Sequence, residues 1–179
     1  SDDSKKISLS IDQHKKWIEL AAELNCESVR VNLSGSEDQE EWVKRSVDGL
    51  TGLAEFAKQH YLNIIVENHG GFSSNAMLLA KVMKKTNLDN CGTLPDFGNF
   101  CIEGGFGTCT KWYDMYKGVA ELMPYAKSVS AKTYNFDSYG NETKIDYNKM
   151  MKIVKDNSYK GFIGVEYEGH GLSEKDGIL

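Results

Sequence analysis

Three acidic residues stand where short apolar runs of this sequence end. Glu67 ends the run NIIVE, Asp96 ends CGTLPD, and Glu166 lies within GFIGVEYEG. Carboxylates that share one pocket repel one another, so they persist there only with a cation, a proton or a lysine nearby. If the three runs bring these acids together, the group can bind a divalent ion and transfer protons.

Further polar residues stand at, or just beyond, the ends of such runs and are candidates for binding substrate: Asn32, His69, Asn99, Lys132 and Glu168. For Asn99 the alternative role is a left-handed turn, and for His69 it is a hydrogen bond within a loop. Lys132 stands where a solvated lysine would be unusual, so we expect it to bind substrate or to neutralise the acids. Glu168 has the side-chain parity of Glu166, so it faces the same cavity or lies at its rim.

The segments that position these residues alternate between helical and strand patterns. Apolar residues at helical spacing predict helices over 11–25, 37–60, 74–85, 112–122 and 147–155. Short apolar runs predict strands over 28–33, 63–67, 91–96, part of 126–136, and 161–169. The spacing leaves no room for a hairpin, and strict alternation predicts a parallel sheet covered by helices. The carboxyl ends of parallel strands meet at one face, so we expect the polar residues to converge there.

Two parallel architectures fit this alternation, an open doubly wound sheet or a (β/α)8 barrel. The open sheet of the dinucleotide-binding type predicts a glycine-rich turn after its first strand, and SGSEDQE at 34–40 lacks that pattern. The segment GGFGT at 104–108 precedes a helix, but no apolar strand runs directly into it. A chain of 179 residues is also shorter than the about 250 residues of a whole barrel. A barrel is therefore predicted only if strands are missing.

Composition and charge exclude several classes of partner. The chain is 40% hydrophobic and 26% charged, which is ordinary for a globular domain. Its net charge is −5 with acids and bases interspersed, whereas nucleic-acid binding requires clustered lysine and arginine. No apolar run approaches the roughly 20 residues of a membrane helix, and the N-terminal SDDSKKISLS has no apolar stretch of a signal peptide. We expect no nucleic-acid or membrane partner, and the compartment stays open between cytoplasm and periplasm.

The four cysteines, Cys26, Cys91, Cys101 and Cys109, include no CxxC pair, so a zinc ribbon is not predicted. Cys101 and Cys109 flank the loop IEGGFGT, and a disulfide between them would form in an oxidising compartment. Free thiols are the commoner state of buried cysteines, and we predict free thiols here.

The motifs VENHGG, TLPDFGNF, YDMYKG, VSAKTYNFD and GVEYEG, in this order, resemble the sugar phosphate isomerase/epimerase family of xylose-isomerase-like TIM barrels, in the AP endonuclease 2 superfamily. The similarity runs from about His14 to Ile178 and is specific for the superfamily rather than for a substrate. It implies an α/β fold, a (β/α)8 TIM barrel of xylose-isomerase-like type, here incomplete with about five parallel strands. It further implies a single domain over 1–179, the C-terminal part of a barrel that lacks its first three strands and last helix.

The same resemblance implies a metal site. In the family pattern a divalent ion is held by Glu, Asp, His and Glu at the ends of the last four strands. Carried across, the ligands are Glu67, Asp96 and Glu166, while Ser130 stands at the histidine's position and would reach the ion through a water. The implied ion is Mn²⁺, Mg²⁺, Zn²⁺ or Co²⁺, and the acid–base pair is Glu67 and Glu166. Asn99 stands where the epimerases often place a substrate-binding histidine.

The predicted function is isomerisation or epimerisation of a sugar or related hydroxy-carbonyl compound through an enediolate. The same site also fits elimination, as in a keto-sugar dehydratase or lyase, and the loss of histidine at Ser130 fits an inactive sugar-binding relic. A nuclease with several zinc ions is disfavoured, since the chain has four histidines and no basic groove is indicated. The predicted partners are a small-molecule sugar, and a second copy of the chain that covers the open edges of the barrel.

Overall fold

Helices and strands alternate along most of the chain. The computed structural model describes residues 4–104 and 107–179. The helices are α1 (Ser4–Glu23), α2 (Gln39–Lys58), α3 (Ala76–Thr86), α4 (Met115–Leu122), α5 (Tyr147–Asp156) and α6 (Glu174–Ile178). The strands are β1 (Ser28–Val31), β2 (Asn63–Glu67), β3 (Cys91–Leu94), β4 (Cys101–Glu103), β5 (Lys111–Trp112), β6 (Val129–Thr133) and β7 (Ile163–Tyr167). Single turns of 3-10 helix lie at Gly71–Ser74 and Met123–Tyr125.

Five parallel strands follow one another in space in chain order. β2 lies between β1 and β3, and β6 pairs with β7, all in parallel register. Parallel bridges from Thr93 to Ala126 and from Asp96 to Ser130 place β6 beside β3. A doubly wound sheet reverses its strand order at a switch point, whereas a barrel does not. The order β1-β2-β3-β6-β7 is therefore that of an incomplete barrel, and the predicted fold class is confirmed.

The apolar core lies between these strands and the helices that cover them. Ile64 and Val66 of β2 are fully buried and Ile65 is nearly so, as expected for a parallel strand covered on both faces. The apolar stripe of α2, which includes Trp42, packs in the same cluster, and α2 contacts both α3 and β2. No helix of the described residues is long and apolar enough to cross a membrane.

Side-chain caps fix where five of the helices begin. The caps of α2 to α6 are Asp38, Asn75, Asp114, Asp146 and Ser173, and each accepts a hydrogen bond from the backbone N–H three residues on. The prediction that a helix begins at Trp112 was wrong, because the cap at Asp114 starts α4 at Met115.

A short antiparallel hairpin between β3 and α4 corrects two predictions. β4 and β5 pair Cys101 with Trp112 and Glu103 with Lys111, although the spacing had left no room for a hairpin. Cys101 and Cys109 form a disulfide with their Cα atoms 5.8 Å apart, so the prediction of free thiols was wrong for this pair and holds for Cys26 and Cys91. Residues 105 and 106 of the predicted loop lie outside the described residues.

β1 and β7 are the edge strands of the five-stranded array. Near β7 the apolar side chains of Phe162 and Val165 are 78% and 55% exposed. The five-residue helix α6, which the sequence analysis did not predict, contacts β7. The array as described is therefore open at both edges.

Candidate carboxylate and metal site

The structure brings Glu67, Asp96 and Glu166 together at the carboxyl ends of β2, β3 and β7. One carboxylate oxygen from each lies within 4.8 Å of the other two. Glu67 and Asp96 are buried, whereas the side chain of Glu166 is 45% exposed. The convergence expected from three separate strand ends is thus present in the fold.

Glu67 is held by one cation and one amide. Arg30 of β1 forms an ion pair with Glu67 Oε2, and Asn99 Nδ2 donates to Glu67 Oε1 at 3.0 Å. Arg30 pairs in register with Ile65, which has the side-chain parity of Glu67, so both side chains point to the same face. Sequence reasoning missed Arg30. The feature that could have indicated it is a charged residue inside the short apolar run SVRVNL.

Asp96 lies in a turn that backbone and side-chain groups hold firmly. Its Oδ1 accepts hydrogen bonds from Gly98 N at 2.8 Å and Asn99 N at 2.9 Å. The buried Asn68 accepts from Asp96 N at 2.8 Å and donates to the carbonyls of Asp96 and Asn99. Burial raises the pKa of Asp96 to about 6, although the nearby Lys132 ammonium opposes that rise. Asn68, which sequence reasoning also missed, therefore positions both Asp96 and Asn99.

Lys132 of β6 is the buried cation among the acids, in agreement with one of the two roles expected for it. Its Nζ lies 2.9 Å from Glu166 Oε1, 3.0 Å from Glu168 Oε1 and 3.6 Å from Asp96 Oδ2. Burial alone would lower the pKa of Lys132, but the surrounding carboxylates raise it above its ordinary value. Burial would raise the pKa of Glu166, but the hydrogen bonds from Lys132 and Ser130 outweigh burial and lower this pKa below its ordinary value. Lys132 stays protonated and keeps Glu166 ionised.

The hydroxyl group of Ser130 lies between the carboxylates of Asp96 and Glu166. Its Oγ lies 2.8 Å from Asp96 Oδ2 and 2.9 Å from Glu166 Oε2. A hydroxyl donates one hydrogen bond, so the second close oxygen pair requires a proton on Asp96 or a cation beside the two carboxylates, and Lys132 supplies such a cation. The hydroxyl of Ser130 is therefore not sufficient to satisfy both carboxylates when both are ionised.

The charge balance of the site leaves room for a divalent ion. Four carboxylates, those of Glu67, Asp96, Glu166 and Glu168, face the two cations Arg30 and Lys132, which leaves an excess of two negative charges when all are ionised. An all-oxygen donor set suits Mg²⁺ or Mn²⁺ better than ions that favour imidazole. Glu67, Asp96 and Glu166 therefore fit the ion that the sequence pattern implies.

A cavity of about 880 Å³ borders this carboxylate cluster. Its polar lining includes His69, Asn99, Glu168 and His170, and Glu168 Oε2 is buried without a hydrogen-bond partner among the described residues. Three of the predicted substrate-binding residues, His69, Asn99 and Glu168, thus line one space, which Tyr134 also lines although sequence reasoning did not single it out.

Two predicted substrate-binding residues do not line this cavity. Lys132 lies beneath it, paired with Glu168, and Asn32 is exposed beyond the end of β1. Asn32 therefore does not lie among the described residues that line the cavity.

The fold and the cluster of strand-end acids define a barrel protein of the xylose-isomerase-like class. The chain belongs to the xylose isomerase-like TIM barrel family, whose family model matches residues 1–178. The family that the sequence motifs resemble is thereby confirmed.

Curated and solved relatives match the chain to different extents. The C-glycoside deglycosidase alpha subunit of Arthrobacter globiformis is 32% identical over 54 residues, which are 30% of this chain and 15% of that protein. The structure of a D-tagatose 3-epimerase-like protein superposes with a TM-score of 0.72 at 20% identity, over 95% of this chain and 66% of that one. D-psicose 3-epimerase from Clostridium cellulolyticum, solved with D-tagatose, gives a TM-score of 0.73 at 14% identity, over 99% of this chain and 63% of that one.

These matches establish the fold, and the chain spans about two thirds of the length of the two solved relatives. Solved structures of the same fold also include one with zinc and one with magnesium.

Proposed function

We propose that this chain carries the acid–base site of an enzyme that isomerises or epimerises a sugar or a related hydroxy-carbonyl compound. The observation that carries the proposal is the close grouping of Glu67, Asp96 and Glu166 beside a cavity with polar lining. Epimerases that act on D-psicose and on L-ribulose share the fold, and they motivate the class of substrate.

Glu67, Asp96 and Glu166 would hold a divalent ion, with Ser130 reaching it through a water. The negative charge that remains after Arg30 and Lys132 are counted favours a further cation between these carboxylates. Such an ion, when bound, polarises the carbonyl oxygen of the substrate and stabilises negative charge that develops there.

The two glutamates serve as the acid–base pair. Glu166 remains ionised because Lys132 and Ser130 both donate to it, so it is able to accept a proton from the carbon beside the carbonyl. Glu67, oriented by Arg30 and Asn99, is the second proton-transfer group. Lys132 keeps its own proton and acts as a fixed positive charge beneath the site.

Metal content and proton exchange test this proposal together. We expect one divalent ion per chain after purification without chelators, and loss of that ion in Glu166→Gln but not in the control Glu55→Gln on the exposed face of α2. We also expect wild type with Mn²⁺ to introduce deuterium from D₂O into a ketohexose beside its carbonyl, as followed by NMR. Wild type that binds no ion and exchanges no proton even when Mn²⁺ is supplied would contradict the proposal and favour the inactive sugar-binding relic.

A second candidate reaction is elimination from a keto-glycoside. The 54-residue match to a C-glycoside deglycosidase subunit favours it, and both reactions begin with removal of a proton beside a carbonyl. The two differ in whether a substituent then leaves. Incubation with a 3-keto-glycoside and chromatographic assay of the released aglycone would separate them, since an epimerase releases none.

We further propose that the chain is the C-terminal part of a barrel and that a second copy covers its open edges. The exposed Phe162 and Val165 beside the edge strand β7 support this. Sedimentation equilibrium should show a dimer that Phe162→Lys weakens, and a concentration-independent monomer would contradict the proposal.

A further inference from the structure

The cavity beside the carboxylates has two chemically different walls. One carries His69, Asn99, Glu168 and His170, and Asn99 and Glu168 connect it to Glu67 and Lys132. The other is lined by Trp112, Met115 and Ile145 together with the Cys101–Cys109 disulfide, and Tyr134, Asn135 and Lys144 also line the cavity. Of the four groups named for this second wall, Trp112 alone offers a ligand a strong hydrogen-bond donor, its indole N–H. A ligand with hydroxyls on all sides would leave them unpaired there.

Trp112 is the main exposed element of the apolar wall. Its side chain is 62% exposed and lines the cavity. Large aromatic rings are the side chains most often used as binding anchors, because they bury much area for few rotatable bonds. Trp112 is therefore placed to contact a ligand rather than to stabilise the core.

The hairpin holds this ring in place before any ligand binds. Trp112 pairs with Cys101, which the disulfide joins to Cys109. Lys111 forms an ion pair with Glu103 at 2.7 Å, and Tyr113 N donates to Phe100 O at 2.9 Å. A wall that is already ordered loses little entropy on binding, which favours affinity.

The cavity is also larger than a single sugar ring requires. Its volume of about 880 Å³ lies high in the range of roughly 300–1,000 Å³ that pockets for drug-sized ligands occupy. A ligand that fills both walls must join a polar part to an apolar one.

We propose that the Trp112 wall is a subsite for a planar apolar aglycone, and that the ligand of this site is a glycoside whose sugar lies against Glu168 and the carboxylate cluster. Glu168 lines the cavity and pairs with Lys132, so the sugar lies against the polar wall that Glu168 shares with His69 and Asn99. This inference rests on the second candidate reaction proposed above, elimination from a keto-glycoside, because it places the sugar at the same carboxylates and adds the group attached to that sugar.

Calorimetric titration with two simple glycosides tests the subsite without requiring turnover. With Mn²⁺ present, wild type should bind phenyl β-D-glucopyranoside at least about fivefold more tightly than methyl β-D-glucopyranoside. Trp112→Ala should abolish this preference, while Trp112→Phe should retain part of it, which separates loss of the ring from loss of the hairpin. Trp17→Ala is the matched control, because Trp17 is 64% exposed on α1 and does not line the cavity, and it should keep the full preference.

The outcomes separate this inference from the function on which it rests. Equal binding of the two glycosides by wild type, or a preference that survives Trp112→Ala, would overturn the subsite and leave the sugar site standing. A gain for cellobiose as large as that for the phenyl glycoside would also overturn it, because the wall would then bind a second sugar. A chain that binds neither glycoside but introduces deuterium into a ketohexose would overturn the subsite and leave the proposed function standing, whereas a chain that does neither would contradict both.

Discussion

Lys132 Nζ lies 2.9 Å from Glu166 Oε1, and the two residues are register partners in neighbouring parallel strands. The pairing is built into the backbone, since the strand register that aligns β6 with β7 also aligns the ammonium with the carboxylate. Glu168 and Asp96 then approach the same ammonium from two other directions. One buried lysine thus neutralises part of a cluster whose carboxylates would otherwise repel one another.

Lys132→Met should destabilise the protein by about 3 kcal/mol, because it leaves several carboxylates close together without their common cation. Urea denaturation in EDTA measures this loss. Lys152→Met is the control, since Lys152 pairs with Asp156 on the exposed face of α5 and should change stability by less than about 0.5 kcal/mol. Equal effects of the two variants would show that Lys132 has no special role in the cluster.

Asp96→Asn should remove a pH dependence of stability. Burial raises the pKa of Asp96 from 3.8 to about 6, so between these values the unfolded chain releases this proton before the folded chain does. Asp96 therefore makes the free energy of unfolding fall as pH rises through this window. Relative to the variant, wild type should lose roughly 2–3 kcal/mol of stability across that window when metal is chelated.

Denaturation of both proteins at a series of pH values measures this difference. The exposed Asp89→Asn variant should show a difference from wild type that does not change with pH in this way. A wild type that gains stability relative to Asp96→Asn as pH rises would mean that the folded protein favours the ionised carboxylate.

Much of this site was predictable because burial leaves a periodic trace in the sequence. β2 is buried on both faces, so its apolar run and the acid that ends it predicted both the strand and Glu67 as a site residue. The hairpin left no such trace, since Lys111 and Trp112 are both exposed and the strand they form has only two residues. Arg30 was missed because an arginine in a short strand is usually expected to face solvent. Strand parity alone does not show that its side chain reaches an acid on the next strand.

Thiol labelling should separate the four cysteines into three classes. At pH 8, dithionitrobenzoate should react rapidly with the exposed Cys26 alone, because burial raises the pKa of Cys91 to about 11, although Lys127 opposes that rise. Denaturation should expose a second thiol, and reduction should release two more from the Cys101–Cys109 disulfide. Cys26→Ser should remove the rapid reaction, and more than two thiols in the denatured, unreduced chain would contradict the disulfide.

Gly98→Ala should damage the turn that carries Asp96 and Asn99. A Cβ at residue 98 would overlap the hydroxyl of Tyr134 and lie 2.9 Å from Lys132 Cγ, and both side chains are packed beside the site. We expect a loss of about 1–3 kcal/mol in urea denaturation together with weaker Mn²⁺ binding. Gly52→Ala is the matched control, because Gly52 lies inside α2 with no atom within 4 Å of the added Cβ. That variant should gain about 0.5–1 kcal/mol from better helix propensity, and a comparable gain in Gly98→Ala would show that the turn tolerates a side chain there.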